Sequence, residues 1–488
     1  MKRVIALLVA VSILLGVASV SAEEEPVTIH LLRATFNLKE ADEAQVKKVE
    51  DAINAYIADR VNFRIKITEI GSDSYGEQAE VMLKNKELNL LWTASWEDVV
   101  GVNDLVAQGA VYDLTNLLPG TRLYSSMSEK QWEATQFNGK NYFIPVYKDM
   151  VEGYDFMFRK DLADKYGWDV FFVRELKDLE PMLKDAKKEG LKYPFLTQST
   201  SMFYRWYIDR FDFFTADVNT NFFAIDRKTN EVINTIQTPE YAEFCKLMGE
   251  WAEKGYISPD EVTHTTSDTT TQTKDWAISW WTDVPVNAEA SVRYNQDVIM
   301  QMATRRYSHS TSTLGSCYCI TENCTVDQAK AAIEFLGLLY TDKTLADIYT
   351  YGIEGEDFDY TQTEKQAIKH VTPHSSKYNH SMWESASASA VSPVFNEPDI
   401  KADLYLDFNA NAITSCAQGF RFDKIPVQEA YDACMALFKQ YGHVLENGGV
   451  KPKEVDGFIA EYQAALDAAG YQEALEEFQR QYDAWKNQ

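Results

Sequence analysis

Two periods alternate along this chain, and their order carries the first inference. Residues 27–34 (VTIHLLRA) alternate apolar and polar positions and are rich in β-branched side chains, which predicts a strand. Over residues 39–60 the apolar positions Val46, Val49, Ile53, Tyr56 and Ile57 fall near the 3.6-residue spacing of a helix. Residues 63–70 (FRIKITEI) return to strict alternation, with Phe63, Ile65 and Ile67 on one face. A helical period follows over 75–86, and then 88–94 (LNLLWTA) is apolar on both faces, as a strand covered by helices on both sides must be. Strand, helix, strand, helix, strand builds a parallel sheet with right-handed crossovers.

The later chain reads less regularly. A short helix is predicted over 103–108, a hairpin-like return over 138–149 that runs through Pro145, and a strand and helix over 153–167 ended by Gly167. Residues 178–189 read as a helix with Gly190 past its end, and 238–254 as an amphipathic helix with Thr238 as cap, Pro239 in its first turn and Gly255 beyond. Residues 263–273 (THTTSDTTTQT) form a low-complexity loop. Three strand-like runs, WAISWW, DVIMQMA and GSCYCIT, precede a helix over 325–342 in which Thr325 and Gln328 fit a capping box. Residues 454–485 are helical and broken in two by Gly470; there is no internal repeat.

The adjacent Trp280 and Trp281 pose a problem for this pattern, because neighbours in a strand point to opposite faces. Both indoles cannot enter one core. Alternation does not say which indole enters a core or what the other one meets; Trp281 is the nearer to the strand end.

The first residues bear on compartment. Lys2 and Arg3 precede an apolar run over 4–17, followed by small residues up to Ala22, which reads as a signal peptide over 1–22 cleaved after Ala22. The run falls short of the roughly 20 apolar residues needed to span a bilayer, and no cysteine follows it, so a lipoprotein anchor is not expected. A periplasmic or extracellular protein with no transmembrane span follows. Its net charge is −27, or −29 without Lys2 and Arg3, which opposes binding to nucleic acid or anionic membrane. Of six cysteines, Cys317 and Cys319 share one side of a predicted strand and Cys324 lies five residues on. A disulfide in this region and buried thiols are both compatible with an exported chain.

No motif of nucleophilic, zinc-dependent or phosphate-binding catalysis is present, and no cofactor or metal is expected. His309, His370, His374 and His380 are scattered in polar loops and read as surface residues. The aromatic residues are more informative. Trp96 follows the third strand, where an open α/β sheet keeps its ligand crevice. Tyr204 and Trp206 fall in a polar-aromatic segment, and Trp383 in a Ser/Ala-rich loop. An indole covers the C–H face of a sugar ring, while nearby carboxylates, lysines and amides pair its hydroxyls.

Several stretches in order carry a resemblance: LNLLWTASWEDVVGVNDLVAQGAVYDLTNLLP, NGKNYFIPVYKD, WAEKGYISPDEV, AAIEFLGLLYTD, YGIEGEDFDY, GFRFDKIPV and LENGGVKPKEVDGFIAEYQAALDAAG. They resemble the carbohydrate-type extracellular solute-binding proteins of bacterial ABC importers (family 1), in a subgroup with a C-terminal domain of unknown function. The resemblance covers most of the chain. It implies an α/β, two-lobed periplasmic-binding-protein-like fold (type II), with hinge strands joining the lobes and extra C-terminal helices. It further implies a first lobe over 23–143 and 312–349, a second over 144–311 and 360–450, and a helical extension over 451–488. By position, Trp96 is the expected first-lobe cleft aromatic, Trp280 or Trp281 a second-lobe one, Tyr204 or Trp206 another, with Trp383 also a ligand-binding candidate; Lys148 and Asp149 lie just past the crossover, at the cleft mouth. The implied function is capture of a sugar or oligosaccharide by hinge closure of a monomer and delivery to membrane permease subunits, with no turnover. Two alternatives stay open. Arg205 and Arg210 keep a peptide- or amino-acid-binding importer component in view, and a secreted glycoside hydrolase would need a carboxylate pair that no motif marks.

Overall fold

The computed structural model describes residues 26–198, 201–213, 222–263, 275–286, 290–291 and 296–487. The expected signal peptide and residues 264–273 of the threonine-rich loop lie outside them.

Five strands build the first sheet, in the order Phe63–Gly71, Val27–Thr35, Leu90–Thr93, Cys317–Ile320, Phe143–Pro145. The first three run parallel, and Cys317–Ile320 runs antiparallel to both of its neighbours. The helix Glu43–Ile57 starts where the Asp42 carboxylate accepts from the Gln45 amide at 3.0 Å. It buries Val46, Val49, Ile53 and Ile57. The capping box of Thr325 and Gln328 opens the helix Val326–Leu339 as expected.

A second, three-stranded antiparallel sheet carries the other lobe, with Tyr154–Arg159 between Ile278–Thr282 and Val298–Met302. The helix Pro239–Glu253 packs on this side, capped by Thr238 and followed by Gly255 at φ 69°.

Each sheet has its own core. The first draws on residues 29–150 and 314–405, the second on 154–307 and 417–482 apart from a four-residue satellite. This division corrects the expected boundaries in two places. The segment 360–405, expected in the second lobe, packs on the first: Val371, Tyr378, Met382 and Tyr405 belong to that core. Tyr378 is fixed there because its hydroxyl donates to the Tyr349 carbonyl at 2.8 Å and meets Arg33. The C-terminal helices Val455–Ala468 and Tyr471–Lys486 are part of the second core rather than an appendage, since Tyr462, Leu466, Phe478 and Tyr482 are fully buried.

Three chain segments cross between the cores, and they hydrogen-bond to one another. Glu152 and Tyr307 exchange backbone bonds of 2.8 Å, and Tyr307–Ser308 pairs in parallel with Ile413–Thr414. Asn409 ties the first crossing down: its side-chain oxygen accepts from the Met150 amide at 2.9 Å and its nitrogen donates to the Lys148 carbonyl at 2.7 Å.

All six cysteines are thiols. Cys317 and Cys319 are fully buried in the first sheet, so of the two sequence readings the buried-thiol one describes this region.

Candidate ligand-binding cleft

A cleft of about 800 Å³ opens between the two lobes. Its second-lobe wall is the end of the Ile278–Thr282 strand, with Trp280, Trp281 and Gln198; its first-lobe wall runs from Asn379 to Trp383 and from Val394 to Tyr405. Lys148 and Asp149 close the base, where the first crossing passes. Val286, on the second-lobe side, packs against the first core, so the lobes touch across the opening.

The strand register explains the two indoles. Trp280 lies opposite Phe156 and Trp281 opposite Asp155, on the two faces of the sheet. Trp280 packs on the main second core, and its indole N–H donates to the Thr197 carbonyl at 3.0 Å. Trp281 packs on a small separate cluster of Met157, Leu196, Trp276 and Ala290. Because both stand at the strand end, both also border the cleft.

Across the cleft stands an aromatic group. Trp383 borders the opening and sits 5.0 Å from the Phe36 ring and 6.4 Å from those of Trp92 and Trp96. Trp92 is buried beneath, whereas Trp96 is 37% exposed and held by an indole N–H bond of 2.6 Å to the Gly315 carbonyl. Trp96 therefore extends the Trp383 surface rather than lining the 800 Å³ space itself.

Tyr204 and Trp206 are placed elsewhere, a correction to their expected position in the cleft. Tyr204 is 2% exposed and donates its hydroxyl to Glu152 at 2.6 Å; Trp206 stacks on Phe156 at 4.6 Å. Their segment is the short helix Met202–Tyr207, whose aromatic side faces the second core. Arg205 donates to the Ser201 carbonyl at 2.6 Å and lies over Trp280, and Arg210 pairs with Asp226 and with Glu240 at 3.2 Å. Both arginines thus serve the second lobe internally.

The histidines also differ from expectation. His309, His370 and His380 are buried, each against a carboxylate: Glu152 at 2.5 Å, Asp399 at 2.6 Å and Glu69 at 3.1 Å. Of these four, His374 is the exposed one. Polar loops predicted exposure, but these loops fold over the sheet ends and take their imidazoles inward.

Buried charge surrounds the cleft. Burial alone would raise Glu69; Arg33, which donates its Nε at 2.8 Å, and His380 outweigh it and hold the carboxyl at about 2. His380, which borders the cleft, is opposed by burial and by Arg33, yet Glu69 and Glu384 raise it above its ordinary value. In the hinge, burial likewise opposes ionisation of Glu152, but bonds from His309, Tyr154 and Tyr204 hold it at about 2. Behind Trp281, burial and the neighbouring Asp283 push Asp155 up to about 7. Burial raises Asp283 too, against the bidentate pull of Arg306 at 2.5 and 3.1 Å.

Sequence reasoning missed the amides of the wall: Asn37, Gln198, Asn379 and Asn396. No local pattern marks them: Asn379 and Asn396 arrive with the segment 379–397 folded on the first lobe, Asn37 follows the Val27–Thr35 strand, and Gln198 is tied to Ser279 and Trp280 on the other wall.

Comparison with known proteins agrees with this architecture. Residues 416–487 match the family model described as a domain of unknown function, DUF3502. A carbohydrate ABC transporter substrate-binding protein of Streptococcus pneumoniae is 25% identical over 437 residues, 88% of this chain and 86% of that protein. The crystal structure of an N-glycan transport solute binding protein (NgtS) from Streptococcus pneumoniae superposes with a TM-score of 0.79 at 24% identity, over 94% of this chain and 98% of that one. The same protein in complex with Man1GlcNAc gives 0.73 at 22% identity, over 94% and 100%. The alginate-binding protein AlgQ2 gives 0.58 at 16% identity, over 94% and 98%. The fold is that of the two-lobed solute-binding proteins of ABC importers.

Proposed function

We propose that this chain is the extracytoplasmic capture component of an ABC importer, closing its lobes on a sugar or oligosaccharide and presenting it to a membrane permease. The observation that carries this reading is that Trp281 and Trp280 on one lobe and Trp383 on the other border one cleft, with Trp96 extending the Trp383 surface. Indoles bury the C–H faces of sugar rings at roughly 25 cal/mol per Å². The amides between them, and Lys148 and Asp149 at the base, offer donors and acceptors to hydroxyl groups. A carbohydrate-binding relative and the similarity to a structure in complex with Man1GlcNAc support the same reading.

The state of the cleft carboxylates supports a reading of binding without turnover. Asp149 and Glu397, which border the cleft, are each held by a lysine, at 3.1 and 2.7 Å. A glycoside hydrolase needs one carboxyl protonated and one free to act on the scissile bond. The signal-like first 22 residues support export, with cleavage after Ala22. Among the described residues no helix is long and apolar enough to cross a membrane.

The experiment is a thermal-shift and tryptophan-fluorescence panel on the mature protein. It contains mannosyl-N-acetylglucosamine, mannotriose, chitotriose and maltotriose, with di- and tripeptides and free amino acids alongside. A ligand raises the melting temperature by mass action. A saturable response confined to sugars supports the reading; a response confined to peptides or amino acids overturns the ligand class.

A further inference from the structure

We infer that the cleft selects uncharged oligosaccharides and rejects acidic ones such as uronates; this rests on the sugar reading above. A site for an anionic sugar gains most from a cation at liberty to meet its carboxylate, since charge-assisted bonds are roughly twice as strong as neutral ones. Among the described residues bordering the cleft the cations are Lys148, Lys401 and, when protonated, His380. Each already has an acidic partner.

Lys401 is the clearest case. It is 2% exposed, and its ammonium lies 2.7 Å from Glu397, one turn back in sequence. Glu397 in turn accepts from the Val394 amide at 2.8 Å, which fixes the carboxylate in place. Lys148 is held 3.1 Å from the Asp149 carboxylate and 3.3 Å from the Asp149 carbonyl. His380 lies 3.1 Å from Glu69. A carboxylate ligand would bring a second negative charge to a lysine that its partner already neutralises, in a half-buried wall, which is costly.

The neutral groups point the same way. Gln198 uses its amide nitrogen on the Ser279 hydroxyl and the Trp280 carbonyl, both at 3.0 Å, so its oxygen is the atom it can offer a ligand. An acceptor suits a hydroxyl or acetamido N–H and opposes a carboxylate. Asn37, Asn379 and Asn396 carry both polarities, which matches hydroxyl groups that donate and accept. The long-range field adds to this, since a chain of net charge −27 repels anions before contact.

The test compares affinities of the mature protein for mannotriose, chitotriose and mannosyl-N-acetylglucosamine with those for trimannuronate and trigalacturonate, at fixed ionic strength. Neutral sugars are expected to bind at least about tenfold more tightly than any uronate. Two variants sharpen it: Glu397→Gln and Asp149→Asn each release a lysine, and at least one that folds should gain uronate affinity relative to neutral sugar. Uronates binding the wild type as tightly as neutral sugars overturns the inference and leaves the sugar reading standing. Folded variants of both kinds with no gain for uronates also overturn it. No response to either sugar class, with peptides or amino acids binding, fells the sugar reading itself.

Discussion

Arg205 lays its guanidinium 3.9 Å above the ring centroid of Trp280. With the Thr197 bond on the indole nitrogen and Tyr154 edge-on at 5.9 Å, this clamps Trp280 to the second lobe. Trp281, the next residue, faces the other side of the sheet. The two indoles should therefore answer differently to removal. Trp281→Ala is expected to weaken sugar binding by about 2 kcal/mol, roughly thirtyfold, for a stacking face of ordinary size. Because Trp281 packs on the small Met157, Leu196, Trp276 and Ala290 cluster, the melting temperature of this variant should fall less than that of Trp280→Ala. Trp280→Ala should instead cost up to about 3 kcal/mol of stability, because it strips a cation-covered, packed ring. Calorimetric titration and urea melts of both variants check this; equal effects on both readouts would contradict the division of roles.

Asn409 joins its own crossing to the first one by bonding both Lys148 and Met150. Asn409→Ala leaves a backbone N–H and a carbonyl without that partner, at a cost of about 1–2 kcal/mol. Because Lys148 and Asp149 sit at the cleft base, ligand affinity is expected to fall as well, with the aromatic walls untouched. Denaturant unfolding and ligand titration of this variant read the two effects; wild-type values in both would remove Asn409 from the hinge.

Acid should destabilise the protein through two buried carboxylates. Glu69 and Glu152 both titrate near 2 in the folded chain, below the ordinary 4.5. Their contribution is present in full above pH 4.5 and is lost as pH falls from there toward 2. His380 acts in the opposite sense. Its folded value is raised above 6.5, so its contribution is full below pH 6.5 and is lost as pH rises through the folded value. The pair with Glu69 is thus strongest between these limits. In urea melts from pH 3 to 8, Glu69→Gln should lower stability near pH 6 and flatten its fall between pH 5 and 3. A wild-type slope in that variant would show that Glu69 does not drive the acid loss.

Cys416 is the one exposed cysteine. Burial of its sulfur and the nearby Asp212 push the thiol up to about 11, so it should react slowly at neutral pH. Thiol titration of the native protein is expected to find one slow group, and six in denaturant without reductant. Four in denaturant would establish a disulfide.

The alternation of residues 27–35 and 63–71 and the helical spacing between them were legible because the strand and helix periods are distinct and the core is local. The Trp280–Trp281 problem was legible for the same reason: strand geometry forces neighbours apart. What the sequence did not reveal is long-range. Tyr204 and Trp206 read as cleft residues because nothing nearby announces that a six-residue helix turns them toward Phe156 and Glu152. The buried histidines depend on carboxylates distant in sequence: Glu152 lies 157 residues from His309 and Glu69 lies 311 from His380. The segment 360–405 looked like second-lobe chain by position, and only packing on Tyr349 and Arg33 assigns it to the first core.

The most direct test is a small-angle scattering titration of the mature protein with mannosyl-N-acetylglucosamine and mannotriose, run in parallel with calorimetry on the wild type and Trp281→Ala. Capture between the lobes predicts saturable binding of a neutral sugar, a radius of gyration that falls as the cleft fills, and markedly weaker binding by Trp281→Ala. Absence of sugar binding by the folded wild type, or undiminished binding by Trp281→Ala together with an unchanged radius of gyration, would contradict it.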